Sequence, residues 1–300
     1  MVHTTARYFA GDLLGALPDT EEHIAGSTQA GLHRITARML THRAFLQAEL
    51  GRIDDAKASL DEARPWLHLL RHGHDYGWGI AETMIAVHSG HPEQAPKLDT
   101  FEFTFRDPIV NCLRVLVAGQ AAIAAHDDAA ARHVLEFLRT TGRTAPLLGA
   151  LADRQEGLLT GANDLLRGSA RRLAAMGAPL LAAQAELEAA EREPDTEVIV
   201  RCLDVFGRAG TVPWLDRARH LARRHNIAIA VTKTTGELSK RESEVVHLVG
   251  RGLSNADIAA RLFLSERTVE SHLRDSYRKL NITSRLRLAQ WAASNEKEHV

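Results

Sequence analysis

The chain has 300 residues and a formal net charge of −1, with 45% hydrophobic and 25% charged residues. This composition excludes an intrinsically disordered protein, and the near-neutral charge excludes a general nucleic-acid condenser. Two cysteines, Cys112 and Cys202, are too few for a disulfide framework and are expected to be small buried apolar residues. So few cysteines favour a reducing cytoplasm. Because the first thirty residues hold no apolar run of signal-peptide length and no window has the length of a membrane span, no membrane contact is expected.

Residues from about 30 to 226 carry apolar side chains at three- and four-residue spacing, interrupted by short turns. No β-type alternation persists, so the pattern predicts an all-α fold. The clearest pair of helices meets at the turn 51–55. Beside it lies a stripe of small and apolar residues that lets the two backbones approach closely: Leu40, Ala44, Ala48, Ala56, Leu60 and Ala63.

A similar unit recurs along this region. Gly51, Gly90 and His126 each precede an alanine by five positions, at intervals of 39 and 36 residues. This is near the period of helical-hairpin repeats of the tetratricopeptide type, about 34 residues. The region resembles degenerate tetratricopeptide-like repeats, and a non-repetitive helical bundle is the alternative.

A last helical unit of this region is predicted from about 197 to 224. The polar stretch 232–236 is the best linker candidate and divides a helical-repeat domain, residues 1–231, from a second domain, residues 237–300. Residues 261–290 hold seven basic and three acidic side chains. A local excess of this size suits a small DNA-reading module.

Serine N-caps begin four predicted helices in the second domain: Ser239, Ser254, Ser265 and Ser284. Glu242 and Asp257 stand three residues after the first two serines, which is the spacing of a capping box. A short second helix, a tight turn at Phe263 and Leu264, and a longer third helix over 266–280 make a helix-turn-helix. The third helix of such a motif lies in the major groove of DNA.

The third helix has two distinct faces. Its predicted inward stripe consists of Val269, Leu273, Ser276, Tyr277 and Leu280. Its other faces carry Arg267, Glu270, Ser271, Arg274 and Arg278. An arginine on the outer face can donate a pair of hydrogen bonds to O6 and N7 of guanine.

Four runs of this domain carry a family resemblance: LSKRE at 238–242, GLSNADIA at 252–259, LFLSERTVESHL at 262–273 and RKL at 278–280. Together they resemble the LuxR-type helix-turn-helix domain over some 55 consecutive residues. The resemblance implies a bacterial transcription regulator that binds double-stranded DNA, as a homodimer that pairs through its last helix.

The resemblance also implies the residues that contact DNA. Thr268, Glu270, Ser271 and Arg274 match positions that commonly contact DNA, and Lys279 matches a commonly phosphate-facing position. With the helix N-termini and the other outward side chains, the predicted DNA-binding set is Ser254, Asn255, Ser265, Arg267, Thr268, Glu270, Ser271, Arg274, Arg278 and Lys279.

Two residues depart from the family pattern. Glu270 stands where many members have lysine, and a carboxylate there repels phosphate while it can accept a hydrogen bond from cytosine. Ser276 stands where an aliphatic core residue is usual, and its hydroxyl is expected to donate to the carbonyl of His272.

The region 30–225 resembles the C-terminal helical-repeat part of the large ATP-binding LuxR regulators, through EGLL at 156–159, AAMGAP at 174–179 and DRAR at 216–219. The chain has no Gly-x-x-x-x-Gly-Lys-Ser/Thr phosphate loop, so neither nucleotide switching nor a cofactor is expected. We expect the repeats to sense a peptide, protein or small-molecule effector.

Other function classes have little support in the sequence. The usual hydrolase, metalloprotease and dinucleotide-binding motifs are missing, so no enzyme and no catalytic residue are predicted. His68 and His72 have a spacing that can bind zinc from one helix face, but no carboxylate or cysteine stands at matching spacing, so no metal site is predicted. The alternative to a DNA-binding regulator is an interaction scaffold whose helix-turn-helix no longer binds DNA.

Overall fold

The computed structural model describes residues 2–66, 77–96, 108–142, 145–227, 238, 240–262, 264–280, 282 and 285–295. These residues divide into two compact units, Met1–Ile229 and Ala230–Val300, each with its own hydrophobic core. The described residues form helices and turns and contain no strand, which confirms the all-α prediction. The predicted linker 232–236 and the histidines at 68 and 72 lie outside the described residues.

The described part of the N-terminal unit contains twelve α-helices. They are α1 (Val2–Phe9), α2 (Leu13–Gln29), α3 (His33–Glu49), α4 (Ile53–Ala63), α5 (Gly77–His88), α6 (Pro108–Ala124), α7 (Asp128–Thr141), α8 (Pro146–Thr160), α9 (Asn163–Ala175), α10 (Pro179–Ala190), α11 (Thr196–Ala209) and α12 (Val212–Arg224).

Successive helices of this unit pack against each other as repeated hairpins, as the sequence predicts. The predicted stripe of small and apolar residues is buried where α3 meets α4: Leu40, Ala44, Ala48, Ala56, Leu60 and Ala63. Since a single hairpin cannot cover its apolar face, each pair is stabilised by burial against the next one.

The turns at the predicted repeat positions share one backbone conformation. Gly51, Gly90 and His126 all end a helix with positive φ, at 78°, 80° and 54°. Glycine adopts this left-handed conformation without steric cost, whereas histidine adopts it at some cost. After His126, the side chain of Asp127 accepts a hydrogen bond from the N–H of Ala130 and begins α7.

The N-terminal helices lie across the repeats. Helix α1 contacts both α6 and α10, and Tyr8 of α1 is fully buried. A Cβ atom on Gly51 would lie 2.9 Å from Val212, and one on Gly210 would lie 2.9 Å from Leu14. The beginning of the unit therefore packs closely against its end.

Both cysteines belong to the N-terminal unit. Cys202 is buried and donates to the carbonyl oxygen of Ala183 at 3.4 Å, and Cys112 is partly buried against the core. Burial raises the pKa of the Cys112 thiol to about 11 and that of the Cys202 thiol to about 12. The thiolate is the reactive form of cysteine, and a raised pKa keeps both thiols protonated at neutral pH. The contribution of both residues is therefore their packing in the core.

The C-terminal unit contains four described helices, α13 (Lys240–Gly250), α14 (Asn255–Leu262), α15 (Glu266–Leu280) and α16 (Arg285–Asn295). Helices α14 and α15 begin directly after the predicted caps Ser254 and Ser265, and Gly252 follows α13 with a φ of 81°. The predicted caps Ser239 and Ser284 and the turn residue Phe263 lie outside the described residues. All four helices contribute to the core, which contains Val245, Val249, Ile258, Val269, Leu273 and Leu288. Within the described ranges, no helix of the chain is long and apolar enough to cross a membrane.

Candidate DNA-binding site

The start of α14 is fixed by a reciprocal capping box. The hydroxyl of Ser254 accepts from the N–H of Asp257 at 3.2 Å, and the carboxylate of Asp257 accepts from the N–H of Ser254 at 3.2 Å. The hydroxyl of Ser254 also donates to this carboxylate at 2.5 Å. These hydrogen bonds from Ser254 lower the pKa of the Asp257 carboxyl. The predicted box is confirmed.

Replacing Ser254 by alanine is expected to cost about 1 kcal/mol in the stability of α14, because one N-terminal N–H loses its acceptor. Hydrogen exchange of the α14 amides measures this loss. Ser243→Ala, at an exposed position inside α13, is the matched control and should leave exchange unchanged. Equal exchange in the two variants would contradict a capping role.

The capping box also has a pH dependence of defined sign. Because the folded state lowers the pKa of Asp257, the box stabilises the fold fully above the ordinary value of about 3.9. Its contribution is lost as the pH falls through the lowered value. The difference between Ser254→Ala and the wild-type chain should therefore shrink in strong acid.

The start of α15 is fixed by a second serine. The hydroxyl of Ser265 accepts from the N–H of Thr268 at 3.1 Å and lies 2.7 Å from the hydroxyl of Thr268. Between α14 and α15, the N–H of Leu264 donates to the carbonyl of Ala259 at 2.9 Å and closes the turn. The two helices thus begin with ordered N–H groups, which is the arrangement that binds phosphate oxygens.

The outer face of α15 carries three described side chains of the predicted set. Glu270, Ser271 and Arg274 are exposed, and among the residues described none of the three has a hydrogen-bond or ion-pair partner. Their spacing places them within about a third of the helix circumference. We call Glu270, Ser271 and Arg274 the α15 outer face. For Arg267 and Arg278 the backbone belongs to α15, but the side chains lie outside what is described.

Lys279 differs from the expectation of a free, phosphate-facing cation. Its ammonium lies 2.6 Å and 2.5 Å from the two carboxylate oxygens of Glu242 on α13. The side chains of Lys279 and Glu242 are only 10% and 6% exposed. The ammonium of Lys279 therefore forms an ion pair inside the domain, and this pair joins α15 to α13. The phosphate contact of Lys279 stays a prediction, and the structure adds an internal ion pair that the sequence did not indicate.

Asn255 has an internal partner that the sequence did not indicate. Arg285, the first residue of α16, donates to the side-chain oxygen of Asn255 at 2.9 Å and to the backbone carbonyl of Leu253 at 2.5 Å. Arg285 thereby ties α16 to the start of α14. No local motif in the sequence pointed to this role, because the partners lie 30 and 32 residues away.

The departure at Ser276 has the predicted consequence. Its side chain is fully buried, and its hydroxyl donates to the carbonyl oxygen of His272 at 2.8 Å. The polar group inside the core is thus satisfied within α15 itself.

Comparisons with known proteins agree with this geometry. Residues 236–292 match the family of bacterial regulatory proteins of the luxR type. A protein of Mycobacterium bovis described as an HTH-type transcriptional regulator is 53% identical over 58 residues, which are 19% of this chain and 7% of that protein. The nitrate/nitrite response regulator NarP of Escherichia coli is 34% identical over 95 residues, 32% of this chain and 44% of NarP.

The oxygen regulatory protein NreC of Staphylococcus epidermidis is 46% identical over 55 residues, which are 18% of this chain and 25% of NreC. The chain thus spans less than half the length of each of these three relatives. No solved structure matches the chain. The family match covers the four helices that carry the two caps and the α15 outer face, so residues 236–292 are a helix-turn-helix domain of the luxR family of bacterial regulatory proteins.

Proposed function

We propose that this chain is a transcription regulator that reads the major groove of double-stranded DNA with α15. The observation that carries the proposal is the α15 outer face, where Arg274 is exposed and has no partner among the described residues of a luxR-family domain. Holding an arginine free on the groove-facing helix is what direct recognition of guanine requires.

The members of the predicted set divide by role. Ser254 and Ser265 order the N-termini of α14 and α15, whose N–H groups position phosphates. Arg274, Ser271 and Glu270 select bases, with Glu270 accepting from a cytosine amino group. Thr268 contributes at the start of α15, and Arg267 and Arg278 add basic charge along the same helix. Lys279 is paired with Glu242, and its phosphate contact stays a prediction.

The proposal includes a dimer and a controlling domain. The family resemblance supports pairing through α16, which on a two-fold site would place two α15 helices about 34 Å apart. The repeats of the N-terminal unit supply the surface on which an effector acts. Fluorescence anisotropy should therefore show different DNA affinities for the full chain and for a fragment of residues 233–300.

The experiment that tests the proposal starts with selection of duplexes from a random library by the full chain. The selected sequence should contain two inverted half-sites. Affinity for this duplex should exceed that for its scrambled version, and both affinities should fall as salt rises. Absence of binding to any duplex at low salt would favour the interaction scaffold.

Replacing Arg274 by alanine is expected to weaken binding to the selected duplex by about 1–3 kcal/mol and to relax the preference at one base pair. The loss on scrambled DNA should be smaller, because the guanine contact is absent there. Arg132→Ala, on an exposed part of α7 in the N-terminal unit, makes the same change in net charge and is the control. An equal loss on both duplexes would show that Arg274 contacts only the DNA backbone.

A further inference from the structure

The N-terminal unit contains a cavity of about 350 Å³. It lies among α5, α6, α7, α8, α10 and α12, and its apolar wall includes Val115, Leu116, Leu151 and Leu158. Sites for small organic molecules have volumes of about 300–1,000 Å³ and a mostly apolar wall with a few polar groups. The cavity lies at the small end of this range.

The charged side chains at the cavity already have counter-ions. The guanidinium of Arg154 donates to both carboxylate oxygens of Glu188 at 2.7 Å, and both residues are buried. Arg217 donates to both carboxylate oxygens of Glu191 at 2.5 Å and 2.6 Å. A charged ligand would therefore enter without a free counter-ion, and an unpaired charge in such a site is costly.

The same wall carries polar atoms that have no partner. The indole Nε1–H of Trp214 and the amide Oε1 of Gln120 are buried and make no hydrogen bond among the described residues. The imidazole Nε2 of His88, also on this wall, lies 3.6 Å from the buried carboxylate of Glu49 and is not counted with them. Gln120 uses its NH₂ group to donate to Gln184 at 3.2 Å, so its oxygen remains as an acceptor. Buried polar groups are nearly always hydrogen-bonded, so two unpaired atoms at one cavity are informative.

Two guanidinium groups lie close to the ring of Trp214. The guanidinium of Arg154 lies 5.8 Å from the ring centroid, and that of Arg217 lies 4.9 Å from it. The position of its N–H donor is therefore fixed by two arginines that are themselves held by carboxylates. The polar groups of this wall are ordered before a ligand binds, which lowers the conformational entropy that is lost on binding.

From these observations we infer that the cavity binds an uncharged small molecule with an apolar body, one hydrogen-bond acceptor and one donor. The acceptor of the ligand accepts a hydrogen bond from the indole N–H of Trp214. The donor of the ligand donates a hydrogen bond to the amide oxygen of Gln120. Binding itself is independent of the proposed function, and only its effect on DNA affinity rests on that function.

Benzamide, benzoate and benzamidine test the inference, because the three probes have nearly the same shape and carry charges of zero, −1 and +1. Their affinities for the full chain are measured without DNA by saturation-transfer NMR. Benzamide is expected to bind at least about tenfold more tightly than either charged probe. Undetectable binding of benzamide, or equal binding of the three probes, would overturn the inference.

Two substitutions locate the bound probe. Trp214→Phe keeps an aromatic side chain but removes the indole N–H. It should lower the affinity for benzamide by about three- to tenfold. Trp78→Phe, at a tryptophan outside the cavity wall, is its control. Ala124→Phe fills the cavity mouth from an exposed position on α6 and should abolish binding, whereas Ala129→Phe, exposed on α7 and outside the wall, should not. Unchanged binding in Ala124→Phe would place the probe elsewhere and overturn the assignment.

Discussion

Glu188→Gln is expected to destabilise the N-terminal unit by about 3–5 kcal/mol, the usual cost of breaking a buried ion pair by removing one partner. The pair joins α8 to α10 through two hydrogen bonds of 2.7 Å, and its side chains are 3% and 4% exposed. The substitution leaves the charge of Arg154 buried beside a neutral amide. The shape of the side chain at position 188 is nearly unchanged, so the loss reports the charge.

Hydrogen exchange of the α8 and α10 amides in the full chain measures this effect. Glu186→Gln is a matched control on the same helix, because Glu186 pairs with Arg201 at 3.5 Å in a half-exposed setting. Exposed pairs are worth about 0–1 kcal/mol. The double variant Arg154→Met, Glu188→Leu should recover most of the stability. Identical exchange in Glu188→Gln and Glu186→Gln would refute the importance of the buried pair.

Lys279→Met is expected to destabilise the C-terminal unit by about 3–5 kcal/mol, because the carboxylate of Glu242 stays buried without the ammonium that now lies 2.5 Å away. Hydrogen exchange of the α13 and α15 amides measures the loss. Lys240→Met, at an exposed position at the start of α13, removes the same charge and should leave exchange unchanged.

A second measurement distinguishes the internal role of Lys279 from a phosphate contact. The double variant Lys279→Met, Glu242→Leu replaces the pair by two apolar side chains and should restore folding. If the ion pair is the role of Lys279, the salt dependence of DNA binding is then unchanged. A slope reduced by about 1 would instead identify a phosphate contact.

The helices of the C-terminal unit could be predicted from sequence because their end signals are local. Ser254 and Asp257 are three residues apart, and Gly252, two residues after the end of α13, takes a φ of 81°. Such signals act within one turn, so they need no knowledge of the fold. The inward and outward faces of α15 follow from helical periodicity in the same way.

The pairs that lie far apart in sequence could not be predicted. Lys279 and Glu242 are separated by 37 residues, and Arg154 and Glu188 by 34. Which cation meets which carboxylate depends on how helices pack, and periodicity does not determine that. Helix α2 was not predicted, for a local reason. Gly15, Pro18 and Gly26 lower the helix propensity of this segment.

The close contacts of Gly51 with Val212 and of Gly210 with Leu14 determine how the N-terminal unit unfolds. An open array of repeats frays from its ends, since each hairpin touches only its neighbours and stability is a sum along one dimension. Here Leu14 of α2 packs on the turn before α12, the turn before α4 packs on Val212 of α12, and α1 contacts α6 and α10. Neither end can then open without uncovering the other, so the unit melts cooperatively as one body.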